Sequence, residues 1–108
     1  MKAYCVYILK CSDGSFYTGI TSNLDARVAI HNTGKNKGFT SSRLPVELVW
    51  YKEFLDDPDQ AIIWEKRIKG WSRRKKQALI DGDWEKLSLY SRNYTKYGNR
   101  INKKDQDT

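Results

Sequence analysis

Apolar and polar residues alternate near the start of the chain in a pattern typical of β-strands. The segment from Tyr4 to Lys10 is rich in aromatic and β-branched residues, and a second such segment runs from Phe16 to Ile20. Ser12-Asp13-Gly14 between them is a turn signal. The sequence therefore predicts an antiparallel β-hairpin.

The length of the loop decides which side chains share a face of this hairpin. A two-residue Asp13-Gly14 turn would put Tyr7 and Tyr17 on opposite faces. A three-residue loop from Ser12 to Gly14, with Gly14 left-handed, pairs Tyr7 with Gly19 and brings both tyrosines to one face. We predict the three-residue loop, because it gathers four apolar side chains on the other face as a core: Val6, Ile8, Phe16 and Ile20.

Helical spacing and capping residues follow the hairpin. A first helix is expected from an N-cap at Ser22, with Asp25 in its first turn, to a stop at Gly34. Four of its residues fall on one stripe: Leu24, Arg27, Val28 and His31. The polar, basic stretch from Gly34 to Arg43 is a surface loop, and Val46 to Phe54 is a third strand.

Two further helices and a short turn complete the pattern. Asp57-Pro58 begins a helix that reaches about Lys69, and Ser72 caps a basic helix from Arg73 to Ile80. A last short turn contains Trp84 and Leu87, and Trp64, Trp71 and Trp84 are expected core anchors. Residues 1–90 form one domain, and residues 91–108 form a polar, mobile tail.

The charge and the cysteines narrow the class of protein. The 108 residues carry a formal net charge of +7, which favours attraction to a polyanion over an anionic membrane. No apolar stretch is long enough to cross a bilayer, and the N-terminus lacks a signal-peptide layout, so the cytosol is the expected compartment. Cys5 and Cys11 lie about 20 Å apart if they share one extended strand, so two free thiols are expected.

The candidate chemistry rests on a small set of residues. One histidine excludes a two-histidine metal site, and no glycine-rich phosphate loop precedes a Lys-Ser/Thr pair. Tyr7 and Tyr17 share a face, and Arg27 and His31 share a helical stripe. Glu65 lies on the expected buried side of its helix, where a carboxylate is costly unless it is paired or binds a cation.

These residues, in this order and spacing, resemble the GIY-YIG nuclease family. Cys5-Val6-Tyr7 is similar to the first motif, with Cys5 in place of glycine, and Tyr17-Thr18-Gly19 is similar to the second. The resemblance covers roughly Tyr4 to Ile80 and is strongest to small, stand-alone bacterial members. It implies an α/β fold, in which a three-stranded, mainly antiparallel sheet is flanked by helices in the order β-β-α-β-α-α.

The resemblance also implies roles for individual residues. Arg27 corresponds to the catalytic arginine, His31 to the His or Tyr one turn later, and Glu65 to the metal-binding glutamate. Glu65 would bind one divalent ion, Mg²⁺ or Mn²⁺, with water and substrate phosphate completing its shell. Tyr7, in preference to Tyr17, would act as general base with help from His31, and Arg27 would clamp the phosphate.

Gly19 would leave room opposite Tyr7 for the substrate backbone. The late asparagine of many family nucleases has no clear match, and Gln77 is nearest in spacing. Basic residues in the loop and the third helix are the candidate phosphate contacts: Lys35, Lys37, Arg43, Arg73 and Lys76, within runs that also include Arg74 and Lys75.

Other interpretations remain for the same residues. Tyr7 and Tyr17 could be packing residues, and Glu65 could form a structural salt bridge with Arg27 or Lys69. The expected function is metal-dependent endonucleolytic cleavage of nucleic acid, with DNA as the expected substrate. The alternatives are a non-catalytic nucleic-acid-binding module with the same fold, or a protein-interaction adapter. The oligomeric state cannot be read from the sequence.

Overall fold

The computed structural model describes residues 2–35 and 38–98, and the side chains of these ranges through residue 91. The described chain forms, in order, β1 (Ala3–Lys10), β2 (Phe16–Thr21), α1 (Leu24–Thr33), β3 (Glu47–Leu55), α2 (Pro58–Lys69), α3 (Arg73–Asp81) and α4 (Trp84–Gly98). Its contacts divide into two compact units, at residues 1–71 and 72–108. Over the described ranges, no helix combines the length and apolar character needed to span a membrane.

The hairpin has the predicted register. Tyr7 pairs with Gly19 and Leu9 pairs with Tyr17. The Cys11 N–H donates to the Ser15 carbonyl over 2.8 Å, which leaves a three-residue loop. Gly14 adopts φ 86°, the left-handed conformation that this loop requires.

The sheet is antiparallel, as predicted, with β1 in its centre and the strand order β2-β1-β3. The prediction of a single core face is incomplete. Val6 and Ile8 are fully buried, but Tyr7 and Leu9 on the opposite face are also no more than 2% exposed. A central strand covered on both faces is apolar at consecutive positions rather than at alternate ones.

Helix α1 covers the face that carries Tyr7. Leu24 and Val28 of this helix pack on a buried cluster of Tyr7, Leu9 and Cys11. The predicted N-cap is wrong by one residue, because Asn23, rather than Ser22, accepts the N–H of Ala26 with its side chain. The helix ends as predicted at Gly34, which is left-handed.

Helix α2 packs against all three strands of the sheet. Its predicted start is confirmed, because the Asp57 side chain accepts the Gln60 N–H and Pro58 occupies the first turn. Ala61, Glu65 and Ile68 are its buried residues, which agrees with the expected inward side.

The second unit contains α3 and α4. Ser72 caps α3 by accepting the Lys75 N–H, and Gly82 ends it in the left-handed conformation, both as predicted. The expected short turn is instead a 15-residue helix that begins at Trp84 and reaches Gly98, inside the segment predicted as a tail. Trp84 is 64% exposed, so its prediction as a core anchor is wrong, whereas Trp64 and Trp71 are half-buried.

Candidate active site

The centre of the candidate site is the ring of Tyr7, which crosses the backbone of Gly19 on the neighbouring strand. A Cβ atom added at Gly19 would lie 2.5 Å from the Tyr7 hydroxyl oxygen and 2.6 Å from Cζ. Both distances are too short for non-bonded atoms. Gly19 was expected to leave room for substrate backbone, and the structure gives that space to the ring of Tyr7 instead.

His31 meets Tyr7 from helix α1. Its Nε2 lies 3.2 Å from the Tyr7 hydroxyl, and its Nδ1 lies 2.9 Å from the Thr40 hydroxyl. Both ring nitrogens therefore have an oxygen partner. The helical stripe that carries His31 packs on the Tyr7 face of the hairpin, which explains why residues 24 positions apart in the chain form a hydrogen bond.

Tyr17 joins these groups through ring contacts. Its ring centroid lies 6.4 Å from that of Tyr7 and 5.1 Å from that of His31. On its far side, the ring of Phe39 stacks on it with a centroid distance of 6.1 Å. The predicted pairing of the two tyrosines on one face is confirmed, and His31 lies against both rings.

The loop after α1 is tied to the hairpin by Arg43. Its Nε donates to Asp13 over 3.0 Å and one terminal nitrogen donates to the Phe39 carbonyl oxygen, while the guanidinium lies 4.1 Å from the Phe39 ring centroid. Arg43 was predicted to contact phosphate. In this structure its guanidinium binds the protein itself, and its role in nucleic-acid binding stays a prediction.

The electrostatic surroundings keep Tyr7 protonated and His31 neutral near pH 7. Burial, followed by the neighbouring Tyr17, raises the pKa of Tyr7 to about 12, while the charge of Arg27 opposes the rise. Burial, assisted by Arg27, lowers the pKa of His31 below its usual value of 6.5. Arg27 is exposed on α1. Its charge affects the pKa of both Tyr7 and His31, as expected for a residue close to them.

Glu65 is the buried carboxylate of this unit, only 9% exposed. Lys69, one turn later in α2, holds its Oε2 at 2.7 Å, and this bond raises the pKa of Lys69. The salt bridge with Lys69 was one of the two alternatives predicted for Glu65. The charge of Glu65 also raises the pKa of Tyr7, so the carboxylate belongs to the same electrostatic environment.

The donor set fits a hard divalent ion with a single carboxylate ligand. Across residues 2–35 and 38–98, no group of three His, Cys, Asp or Glu side chains could hold a metal. One carboxylate suits Mg²⁺ or Mn²⁺, which keep several waters in their shell. Lys69 is more than half exposed, so its ammonium can leave the carboxylate for solvent.

The predicted phosphate contacts lie in different parts of the chain. Lys35 is exposed in the loop after α1, and Lys37 lies outside the described residues. Arg73 is exposed and Lys76 half-buried, and both belong to α3 in the second unit. The amide of Gln77, the residue nearest in spacing to the late family asparagine, donates to Asp81 over 2.9 Å.

Sequence reasoning missed Thr40 and Phe39. The segment that contains them was predicted only as a basic surface loop, because it has neither strand nor helical periodicity. An aromatic residue beside a threonine between two glycine- and serine-rich stretches was the available signal. Thr40 is only 4% exposed, and burial of a hydroxyl in a loop cannot be read from a local pattern.

Comparison with known proteins identifies relatives of the chain. A family model described as the GIY-YIG catalytic domain matches residues 3–78. The UPF0213 protein SH2523 of Staphylococcus haemolyticus is 44% identical over 81 residues, which are 75% of this chain and 98% of the relative. A UPF0213 protein of Lacticaseibacillus paracasei is 42% identical over 80 residues, 74% of this chain and 89% of that protein.

A solved structure has the same fold. The solution NMR structure of the protein EF2693 from E. faecalis aligns with a TM-score of 0.54 and 30% sequence identity, covering 76% of this chain and 86% of that one. The names of these relatives state no activity.

Proposed function

The chain belongs to the GIY-YIG family, and we propose that it is a metal-dependent endonuclease that hydrolyses phosphodiester bonds in DNA. The observation that carries the proposal is the hydrogen bond between the Tyr7 hydroxyl and His31 Nε2. It joins the buried phenol of β1 to the neutral imidazole of α1. The cationic Arg27 and the buried Glu65 both act on this phenol.

In the proposed reaction, a water oxygen forms a new bond to phosphorus while the bond from phosphorus to the leaving oxygen breaks. Tyr7 takes a proton from the attacking water as its own hydroxyl proton moves to His31 Nε2. The leaving oxygen takes up a proton from solvent, and His31 then returns its extra proton to solvent. Tyr7 needs a relay of this kind, because with a pKa of about 12 its hydroxyl stays protonated and can accept a proton from water only as it gives up its own.

Two further residues stabilise the charge of the transition state in this proposal. Arg27 binds the non-bridging oxygens with its planar guanidinium. Glu65 would hold a divalent ion, whose positive charge would stabilise the transition state and offset the carboxylate charge that raises the pKa of Tyr7. Lys69 would release Glu65 when the ion binds. Tyr17 packs against His31 and fixes the orientation of its ring.

Five basic residues are the proposed contacts to the substrate backbone: Lys35, Lys37, Arg43, Arg73 and Lys76. Their attraction to phosphate would be independent of sequence. We also propose a cytosolic location, because Cys5 and Cys11 are both buried free thiols, as is common in a reducing compartment.

A second candidate function is non-catalytic binding of nucleic acid. The ion pair between Glu65 and Lys69 favours it, because a carboxylate that already has a lysine partner needs no metal. The two functions differ in their dependence on Glu65. Binding by basic residues alone would survive its loss, whereas cleavage would not.

The deciding experiment is a nicking assay on supercoiled plasmid and on labelled single-stranded and branched DNA, with Mg²⁺ or Mn²⁺. Glu65→Ala and Glu65→Gln are assayed in parallel, and binding is measured by fluorescence anisotropy. We expect metal-dependent cleavage that falls on the order of 10³-fold in both variants, with binding retained. If the unmodified protein leaves every substrate intact and binds as tightly as the variants, the binding function replaces the nuclease.

A further inference from the structure

The hydroxyl of Thr40 has an unusual place for a loop side chain. Thr40 is 4% exposed, and its Oγ1 lies 2.9 Å from His31 Nδ1, the nitrogen that faces away from Tyr7. Nothing in the proposed reaction uses Thr40 directly. Its hydroxyl is nevertheless the partner of the second ring nitrogen of the protein's single histidine.

The protonation states of Tyr7 and His31 indicate which atom donates in the hydrogen bond between His31 and Thr40. The Tyr7 phenol is protonated near pH 7 and can donate its hydrogen to His31 Nε2, which is 3.2 Å away. When Tyr7 donates this bond, Nε2 carries a lone pair. A neutral imidazole has one hydrogen, which therefore resides on Nδ1, and the Thr40 oxygen is placed to accept it.

We propose that Thr40 is a positioning residue that holds His31 in the Nδ1–H tautomer, so that the Nε2 lone pair faces the Tyr7 hydroxyl. The catalytic consequence of this role of Thr40 rests on the proposed nuclease function. The assignment of the tautomer does not, because it depends on the positions of three side chains and on a protonated Tyr7 phenol beside a neutral imidazole.

The backbone around Thr40 is fixed by several independent bonds. The Thr40 carbonyl accepts the Arg43 N–H over 3.0 Å, and the Arg43 side chain binds Asp13 in the hairpin loop. Phe39, the residue before Thr40, contacts both the ring of Tyr17 and the guanidinium of Arg43. These contacts link the loop to the hairpin and favour a positioning role for it.

The single histidine makes the tautomer directly measurable. Nitrogen-15 NMR of uniformly labelled protein at neutral pH reports which ring nitrogen carries the hydrogen, without substrate or metal. We expect the Nδ1–H form in the unmodified protein. Thr40→Val, which replaces the hydroxyl by a methyl group, should give a mixture of tautomers, and Thr40→Ser should restore the single form.

The catalytic consequence is tested on the same three proteins. We expect kcat for DNA cleavage to fall about 10- to 100-fold in Thr40→Val and to recover in Thr40→Ser, with little change in KM. An Nε2–H tautomer in the unmodified protein, or an unchanged Nδ1–H tautomer in Thr40→Val, would overturn the proposal. If the tautomer behaves as expected but no protein cleaves DNA, the positioning role stands and the nuclease function fails.

Discussion

The two halves of the candidate site are held in different ways. Tyr7, Tyr17 and His31 form a cluster in which both imidazole nitrogens and all three rings have neighbours at bonding or packing distance. Glu65 is held by an ion pair with Lys69, whose side chain is 57% exposed. The acid–base half is built from buried and half-buried groups of three separate elements, whereas the carboxylate is held by an exposed neighbour on its own helix.

This difference matches the tasks that we propose for the two halves. A proton relay needs fixed donor and acceptor positions, because displacement of one group by an ångström costs much of its effect. A carboxylate that takes up a metal ion from solution needs an ion-pair partner that the metal can replace. Changes in the relay should therefore cost more activity than changes around Glu65 that leave the carboxylate intact.

The largest effect is expected from removing the Tyr7 hydroxyl. Tyr7→Phe keeps the buried ring but removes the proposed base, so cleavage should fall by about 10²- to 10⁴-fold. Tyr17→Phe is the matched control, because its ring contacts with His31 and Phe39 remain. Single-turnover kinetics measure both. Equal losses in the two variants would show that the hydroxyl of Tyr7 has no special role.

A smaller effect is expected from Gly19→Ala, which adds a methyl group where the Tyr7 ring lies. The ring must move, and we expect cleavage to fall on the order of 100-fold because the Tyr7 hydroxyl is displaced from His31. Overpacking should also lower the free energy of unfolding by about 1–3 kcal/mol, measured by urea denaturation.

Gly70→Ala is the control for this change. A Cβ atom there meets its nearest neighbours at 3.6 Å, an ordinary contact distance, and Gly70 has a right-handed helical conformation. Its activity should stay close to that of the unmodified protein. A Gly19→Ala protein with full activity and stability would mean that the Tyr7 ring is not held where the structure has it.

The smallest effect is expected from Lys69→Ala. Removing the ammonium frees the Glu65 carboxylate, and a partly exposed ion pair contributes less than about 1 kcal/mol, so the Mn²⁺ concentration for half-maximal cleavage should fall by up to about fivefold. Lys66→Ala removes an exposed lysine from the same helix and serves as the control. A requirement for more Mn²⁺ in Lys69→Ala would instead make Lys69 part of the binding site.

Features set by neighbouring residues were predictable from the sequence. The caps at Asp57 and Ser72 and the stops at Gly34 and Gly82 were all predicted correctly, because a cap is a bond between residues two or three positions apart. The wrong N-cap prediction at Ser22 also depends on interactions between neighbouring residues. Ser22 and Asn23 are adjacent capping residues, and the Thr21 hydroxyl accepts the Asn23 N–H, which helps to fix Asn23 as the cap.

Features that depend on packing were predicted less well. The last helix continues to Gly98 although the sequence turns polar from about Ser91. Within the second unit it packs against α3, with Arg74 4.4 Å from the ring centroid of Tyr90. Tertiary contacts of this kind stabilise helices whose own sequence signal is marginal. The burial of β1 on both faces was missed for the same reason, since a strand pattern does not show how many layers cover it.

The sequence by itself determined the family, the antiparallel sheet and the register that sets Tyr7 opposite Gly19, because short-range turn chemistry and side-chain alternation fix them. Only the tertiary structure brought Thr40 to His31 and gave the space above Gly19 to the Tyr7 ring. It also decided which of two candidate partners holds Glu65, namely Lys69. These contacts arise when separate elements pack together, and no local pattern encodes the distance between their side chains.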